Sequence, residues 1–260
     1  MLVLAISGYT KSKKSALARY LANNAEFEIV EMCDPIREYI KQEKGFISNV
    51  DEIIDNICKF RRKHGDDVLA KIAFERIKSS KNDKFVIVGL RSYIDHTFLK
   101  QNVKHYRSIF IHTTTEKRHQ RLLDDPTSIA KNKEDFNTLD RESYKQGIIN
   151  IANEADFFII NDDGFPLTCY EQMENVLLLI NRKIPSLLIK DFNLKTIIQR
   201  SDKMIEKGYI VKKLPSYIDH IPENGEPISR VFKEKGELTN ISASTIKRSL
   251  HRSHFNRILI

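Results

Sequence analysis

A glycine, a lysine and a serine near the N-terminus stand at the spacing of a phosphate-binding loop. Residues 8–15, Gly-Tyr-Thr-Lys-Ser-Lys-Lys-Ser, fit the pattern G-x-x-x-x-G-K-[ST] at every defined position except one, where Lys13 replaces the second glycine. In such a loop the backbone N–H groups enclose a phosphate, the lysine reaches the terminal phosphates and the hydroxyl binds Mg²⁺. We expect Ser15 to be the Mg²⁺ ligand. The residues expected to bind ATP are Gly8, Lys11, Ser12, Lys13, Lys14 and Ser15.

The residues on either side of this segment favour a loop between a strand and a helix. A short apolar run, Leu2–Ser7, precedes it, and Leu17 and Leu21 lie four residues apart in the segment that follows. The alternative is that a glycine and a Lys-Ser pair coincide in a lysine-rich loop. A side chain at Lys13 is tolerable if its backbone is right-handed, and the charge could help to hold phosphate.

Strand and helix patterns alternate through the first 180 residues. Five short apolar strands separated by helices predict an α/β fold, with a five-stranded, mostly parallel sheet flanked by helices. Ligands bind at the carboxyl ends of the strands in such sheets, and the candidate residues fall there. The strands are predicted at 2–7, 27–32, 85–89, 108–112 and 156–161, and the helices at 14–23, 34–44, 51–63, 66–79, 116–123, part of 134–153 and 167–182.

The positive charge of the chain is concentrated at its C-terminal end. The formal net charge is +8, and the 80 residues from Asn181 onward carry all of that excess. We interpret this as a domain over 1–183 followed by a small, mainly helical basic module over 184–260. Its partner would be anionic, with nucleic acid as the candidate. The alternative is a solvated basic surface.

Two short helices are predicted in the basic module, over Ile228–Lys235 and Ser242–His251. The second begins in a serine-rich segment that suits a helix N-cap and carries Lys247, Arg248 and Arg252. This order is typical of a helix-turn-helix. Helix pairs are common, however, and a basic helix face also arises from solvation alone.

The composition excludes several classes of protein. Apolar residues make up 41% of the chain and charged residues 30%, and no apolar run approaches the roughly 18 residues of a membrane span. The opening apolar segment has no basic flank and is not expected to be a signal peptide. The three cysteines are far apart and odd in number, so neither a disulfide framework nor a metal site is indicated. We expect a reducing, cytoplasmic setting and no membrane partner.

Several motifs in order, over about residues 2–180, resemble the nucleoside monophosphate kinase group of P-loop NTPases. The likeness is greatest to the dephospho-CoA-kinase-like, adenylate-kinase-like family known mainly from archaea. The matching segments are Cys33-Asp34-Pro35-Ile36-Arg37-Glu38 (D-x-x-R), residues 65–71 (G-x-D-x-x-A-K), 86–92 (V-I-D-G-I-R-S), 136–142 (F-x-x-R-D-R-x) and 155–162 (A-D-Y-V-I-V-N).

The resemblance implies ATP-dependent phosphoryl transfer, which depends on positioning and charge neutralisation. Lys14 would contact the β- and γ-phosphates. Asp34 would accept the proton of an acceptor hydroxyl or order the metal. Arg37 and Arg91 would bind the acceptor phosphate through their planar guanidinium groups. Asp34 could instead simply cap its helix, and Arg37 could be a surface arginine.

Three further arginines are implied to lie on a lid that closes over the transferring phosphoryl group and excludes water. Arg118 and Arg121 are three residues apart on one exposed helix face, where they would assist in binding ATP. Arg141 would join Lys14 and Arg91 as a catalytic residue. Solvation of an exposed face explains the first two equally well, and Arg141 could pair locally with an acid.

Two departures from the family pattern leave two functions open. Lys13 replaces a glycine, and Val88 stands where the family has the acidic residue that orders Mg²⁺ through water. The first function is a kinase for a mononucleotide or a similar phosphorylated small molecule such as dephospho-CoA. The second is a weak or inactive nucleotide-binding regulator whose basic module binds nucleic acid. A kinase acting on a nucleic-acid end would combine the two.

Overall fold

A five-stranded sheet forms the centre of the computed structural model, which describes residues 1–45, 49–126, 128–162 and 168–183. The strand order is β2-β3-β1-β4-β5, and every pair of neighbouring strands is parallel. The predicted α/β class is therefore confirmed, with a sheet that is wholly parallel over this part of the chain. The strands are β1 (Leu2–Ser7), β2 (Glu28–Glu31), β3 (Lys84–Leu90), β4 (His105–His112) and β5 (Phe157–Ile160).

Helices connect the strands and cover both faces of the sheet. They are α1 (Lys14–Ala25), α2 (Asp34–Lys44), α3 (Val50–His64), α4 (Val68–Ser79), α5 (Tyr93–Asn102), α6 (Thr115–Leu123), α7 (Lys133–Lys145), α8 (Ile148–Glu154) and α9 (Cys169–Lys183). Helix α5 was not predicted. Within the ranges given above, no helix has the length and apolar character needed to cross a membrane.

The segment expected to be partly helical over 134–153 forms two helices, α7 and α8, that meet at Gly147. This glycine has φ 83°, a backbone conformation that side chains rarely adopt, and an added Cβ would lie 2.9 Å from Cβ of Tyr93. The chain therefore turns at Gly147, between the end of α7 and the start of α8.

The two faces of the sheet are buried against different helices. Leu4 and Val86 on one face pack in a cluster with Leu17 of α1 and Met173 of α9. Residues on the other face, among them Ile87, pack in a second cluster with α2, α4 and α5. Because side chains alternate between faces along a strand, burial on both faces produces the continuous apolar runs seen in the sequence.

Helix α9 begins at a reciprocal cap. Glu171 accepts hydrogen bonds from the backbone N–H and the hydroxyl of Thr168, and the hydroxyl oxygen of Thr168 accepts one from the backbone N–H of Glu171. This arrangement satisfies N–H groups that the helix itself leaves unpaired. The predicted start at Leu167 and the proposed basic module over 184–260 lie outside the described residues, so the domain boundary and the helix-turn-helix stay predictions.

Candidate active site

The loop after β1 requires a glycine at its first position. Gly8 has φ +141°, and a Cβ atom there would lie 2.6 Å from the carbonyl oxygen of Ile111 and 2.9 Å from Oγ of Ser12. Real Cβ atoms do not approach backbone oxygen this closely. The loop therefore passes directly against the end of β4, as a tight turn between strand and helix demands.

Lys13 adopts a left-handed backbone with φ 71° and ψ 26°, immediately before α1. The condition given above for tolerating a side chain at this position, a right-handed backbone, is therefore not met. Glycine adopts this backbone conformation with the least strain, but here the position is occupied by an exposed lysine. Lys11, with φ 64°, is also left-handed. Such residues cost about 1–3 kcal/mol each and persist where surrounding structure imposes them, often at functional sites.

Lys14 is a buried cation at the N-terminus of α1. Its side chain is 8% exposed, and Nζ donates a 2.7 Å hydrogen bond to the carbonyl oxygen of Tyr9. Burial holds the pKa of this ammonium well below its ordinary value, and the nearby positive charges of Arg91 and Arg118 lower it further. An anion bound at this position would offset both effects.

Arg91 follows β3 and reaches the same loop. Its Nη2 lies 3.4 Å from the hydroxyl of Thr10, and its buried Nε has no hydrogen-bond partner among the described residues. Arg91 forms no salt bridge with a carboxylate in the part of the chain that the structure describes. A half-buried guanidinium with this environment is suited to bind an anion.

One cavity of about 540 Å³ joins the phosphate loop to the segments that follow β2 and β3. Its lining includes Ser15 as well as an aliphatic wall drawn mainly from α2 and α3. The charged groups that line it are seven cations against two carboxylates: Lys11, Lys13, Lys14, Arg19, Arg37, Arg91 and Arg121, with Glu31 and Asp125. The cavity is therefore suited to a ligand with several negative charges.

Arg121 and Lys11 connect α6 to the phosphate loop. The Arg121 guanidinium donates to the carbonyl oxygens of Lys11 and Asn161, each at 3.1 Å. Nζ of Lys11 forms a 2.5 Å salt bridge with Asp125, just after α6. Arg121 lines the cavity, and these contacts tie the loop backbone to α6 and the segment after it.

Arg118 is not on an exposed helix face, so that expectation is wrong. It is 1% exposed and forms a bidentate ion pair with Asp140 of α7. Its Nη1 also lies 3.2 Å from the carbonyl oxygen of Thr10. In this conformation Arg118 contacts the loop backbone at Thr10 and does not line the cavity.

Arg141 lies outside the cavity. It is exposed on α7, where Nη2 donates a 3.0 Å hydrogen bond to the hydroxyl of Thr138. The structure therefore does not bring it to Lys14 and Arg91 as the family motif implied. The preceding residue, Asp140, is the member of this motif that reaches the loop, through Arg118.

Asp34 begins α2 but lines a separate, smaller cavity of about 160 Å³ beside α4. Its carboxylate is 3.1 Å from Nη1 of Arg37 and 3.7 Å from Nη1 of Arg76. The predicted catalytic acid is therefore absent from the lining of the large cavity, although its partner Arg37, 60% exposed at its side chain, belongs to that lining.

Glu31 is the carboxylate of β2 that the sequence interpretation missed. It lies at the end of β2, lines the large cavity and is paired in register with Val88 of β3. Burial raises the pKa of this carboxyl, while nearby Arg37 counteracts the shift. The available signal was alternation along β2, because Val30 is buried on one face and Glu31 faces the other.

The residues at the loop fit a metal ion that arrives with a nucleotide. No cluster of three or more His, Cys, Asp or Glu side chains suited to a metal occurs among the described residues. Mg²⁺ needs fewer protein ligands, because phosphates and water supply the rest. Ser15 lines the cavity at the start of α1, and the fully buried Oγ of Ser12 has no hydrogen-bond partner within the described ranges.

The fold is a parallel α/β sheet, and the loop between β1 and α1 carries Gly8, Lys14 and Ser15 at the spacing of a phosphate-binding loop. The chain is similar to three archaeal proteins described as UPF0200 proteins. The identity is 25% with that of Methanothermobacter thermautotrophicus (62% of this chain, 82% of the relative). It is 26% with that of Saccharolobus solfataricus (67% and 94%) and 29% with that of Thermococcus onnurineus (62% and 89%).

No family model matches the chain. Among solved structures, the shikimate kinase from Acinetobacter baumannii in complex with shikimate is 15% identical and has a TM-score of 0.46, with 71% of this chain and 95% of that chain covered. A gluconokinase from Sinorhizobium meliloti is 13% identical, with a TM-score of 0.39 and coverage of 72% and 95%.

Proposed function

We propose that this protein binds ATP with Mg²⁺ and transfers the γ-phosphate to the phosphate group of a small acceptor such as a mononucleotide. The observation that carries the proposal is the arrangement of Lys14 and Arg91. A buried ammonium and a guanidinium without a carboxylate partner in the described residues act on each other in one cation-lined cavity. Two phosphoryl groups brought together there would relieve that repulsion.

The chain's own residues have distinct tasks in this reaction. The loop N–H groups and Lys14 hold the β- and γ-phosphates, and Arg91 with Arg37 holds the acceptor phosphate. An acceptor phosphate oxygen forms a bond to the γ-phosphorus as the bond to the β,γ-bridging oxygen breaks. Mg²⁺, when bound with ATP at Ser15, neutralises charge on the phosphate oxygens.

A phosphate acceptor also accounts for the position of Asp34. A phosphate oxygen is already anionic at neutral pH, so the attack requires no general base. A hydroxyl acceptor such as dephospho-CoA would require one. Since Asp34 lines another cavity, the geometry favours transfer to a phosphate over transfer to a hydroxyl.

The aliphatic wall bears on the rest of the acceptor. The lining includes two isoleucines of α2, two of α3 and a leucine of α7: Ile36, Ile40, Ile53, Ile57 and Leu139. Such a wall stabilises an apolar or flat group by removing it from water. It suits the base of a mononucleotide better than the hydroxyl groups of a sugar acid.

The test is acceptor-dependent ADP formation by the full chain, with Mg²⁺ and a panel of mononucleotides plus dephospho-CoA. We expect ADP with at least one mononucleotide and a loss of about 100-fold or more in Arg91→Ala, since a bidentate charged contact is removed. Arg62→Ala removes an exposed arginine of α3 outside the cavity and should retain activity. Equal rates in the two variants would contradict the acceptor assignment.

A nucleotide-binding regulator is the second candidate. Two observations favour it: the strained Lys13 backbone, and an apolar side chain, Val88, at the cavity. ATP binding without turnover of any acceptor would support it. In that case the full chain should bind an oligonucleotide with an affinity that falls steeply with salt, and Lys247→Ala with Arg248→Ala should reduce the slope of that dependence. Salt-independent binding would contradict a nucleic-acid role.

A further inference from the structure

Glu31 and Val88 are directly paired on neighbouring parallel strands, and Val88 is paired in turn with Ile6 of β1. Residues paired in this way point to the same face of a sheet, about 4.8 Å apart. Val88 packs on the face covered by α1, so Glu31 emerges on that face too, one strand further out. Both residues line the large cavity together with Ser15.

Glu31 borders the large cavity and also the smaller cavity that Asp34 lines. It makes no hydrogen bond or salt bridge with any residue in the described ranges, in contrast to Asp125, which is bound to Lys11. The cations that act on Glu31 through space are Arg37, Lys14 and Arg19, and Asp34 acts in the opposite sense. A half-buried carboxylate in this position can accept hydrogen bonds from water on a metal ion at Ser15.

We propose that Glu31 is the positioning carboxylate for Mg²⁺ in this site and supplies from β2 what Val88 cannot supply from β3. Ser15 is the direct protein ligand, and Glu31 orients water on the ion. Mg²⁺ commonly keeps several waters, and carboxylates that bind such waters order the ion. The inference rests on the proposed function, because the ion enters with ATP.

The same geometry argues against a proton-accepting role. Attack by a phosphate oxygen releases no proton, so a carboxylate at the cavity has no proton to accept. Metal positioning affects ATP binding before any transfer occurs. A measurement of Mg²⁺-dependent ATP binding without an acceptor therefore distinguishes the two roles.

The experiment measures the affinity of the full chain for ATP by calorimetry, with and without Mg²⁺. In wild type, Mg²⁺ should strengthen binding. In Glu31→Gln, which keeps the size of the side chain, we expect that enhancement to fall by about 10-fold or more. Metal-free affinity should stay the same or rise, because a negative charge near the phosphates is lost. Glu28→Gln changes a carboxylate of the same strand that accepts from Ser80 outside the cavity, and it should match wild type.

A second variant relocates the carboxylate. Val88→Asp in the Glu31→Gln background returns an acid to the same face of the sheet, and we expect recovery of part of the Mg²⁺ enhancement. Mn²⁺ binding in the presence of ATP, followed by electron paramagnetic resonance, gives the same comparison without heat signals. If the double variant does not fold, judged by circular dichroism, Glu31→Gln alone decides the proposal.

The outcomes separate this inference from the proposed function. An equal Mg²⁺ enhancement in wild type and Glu31→Gln overturns the role of Glu31, while ATP binding and turnover by wild type would stand. Loss of turnover in Glu31→Gln with an unchanged enhancement also overturns it, in favour of a role in transfer. Failure of wild type to bind ATP at all overturns the proposed function itself.

Discussion

Arg118 and Asp140 form a bidentate ion pair beside the phosphate loop, with Nη1–Oδ1 at 2.9 Å and Nη2–Oδ2 at 2.6 Å. The guanidinium lies against the rings of Tyr9 and Phe136, at 5.0 and 4.8 Å from the ring centres, and donates to the carbonyl oxygen of Thr10. The pair thus connects α6 and α7 to the loop. Through these contacts the pair supports the loop backbone, and Arg118 does not line the large cavity.

Removing one partner of this pair should destabilise the protein strongly. Asp140→Ala leaves a buried guanidinium without its carboxylate, and we expect the free energy of unfolding to fall by about 3–5 kcal/mol in urea titrations. Glu142→Ala on the same helix removes an exposed pair with Lys145 and should change it by at most about 1 kcal/mol. Similar losses in the two variants would show that the buried pair contributes no more to the free energy of unfolding than the exposed one.

The left-handed backbone of Lys13 predicts an unusual order of stability. Lys13→Gly should be more stable than Lys13→Ala by about 1 kcal/mol, because glycine adopts positive φ without strain and alanine does not. Both variants lose the charge, so the comparison isolates the backbone. The measurement is thermal or urea denaturation without nucleotide. Alanine as the more stable residue would mean that this position is not left-handed.

The buried ammonium of Lys14 should make stability depend on pH. Its pKa in the folded protein is well below 10.5, so between those two values the unfolded chain binds more protons. The free energy of unfolding therefore rises with pH through this window, by at most about 1.4 kcal/mol per pH unit for one group. Lys14→Met should remove that part of the slope in urea titrations over the pH range just below 10.5. An unchanged slope would contradict the lowered pKa.

Two glycines distinguish a steric requirement from a conformational one. Gly8 and Gly45 both have positive φ, but a Cβ at Gly45 meets nothing within 4 Å among the described atoms, whereas one at Gly8 meets the carbonyl oxygen of Ile111 at 2.6 Å. Gly45→Ala should cost about 1 kcal/mol. Gly8→Ala should cost clearly more and abolish ATP binding. Equal costs would mean that the loop is not packed against β4.

Much of the fold could be predicted because parallel strands buried on both faces leave continuous apolar runs. Helix α5 could not, since its pattern is broken by buried polar residues. Asp95 is 1% exposed and paired with Arg61 of α3, and the fully buried His96 contacts the hydroxyl of Tyr106. These partners come from other elements, so local periodicity carries no sign of them.

The candidate site was predicted where local geometry decides it and missed where tertiary pairing does. Lys14 and Arg91 follow strand ends, and both line the large cavity. Arg118 looked exposed because its partner, Asp140, lies 22 residues further along the chain. The acid facing the cavity was assigned to Asp34 in place of Glu31, because the family motif outweighed the alternation of side chains along β2.

The central claim is that the loop from Gly8 to Ser15 binds the phosphates of ATP, and calorimetric titration of the full chain with MgATP tests it most directly. The account predicts binding by wild type and by Lys71→Met, which alters an exposed lysine of α4 outside the cavity. It predicts binding about 10- to 100-fold weaker in Lys14→Met, because one charged hydrogen bond to phosphate is lost. Equal affinity in wild type and Lys14→Met would contradict it.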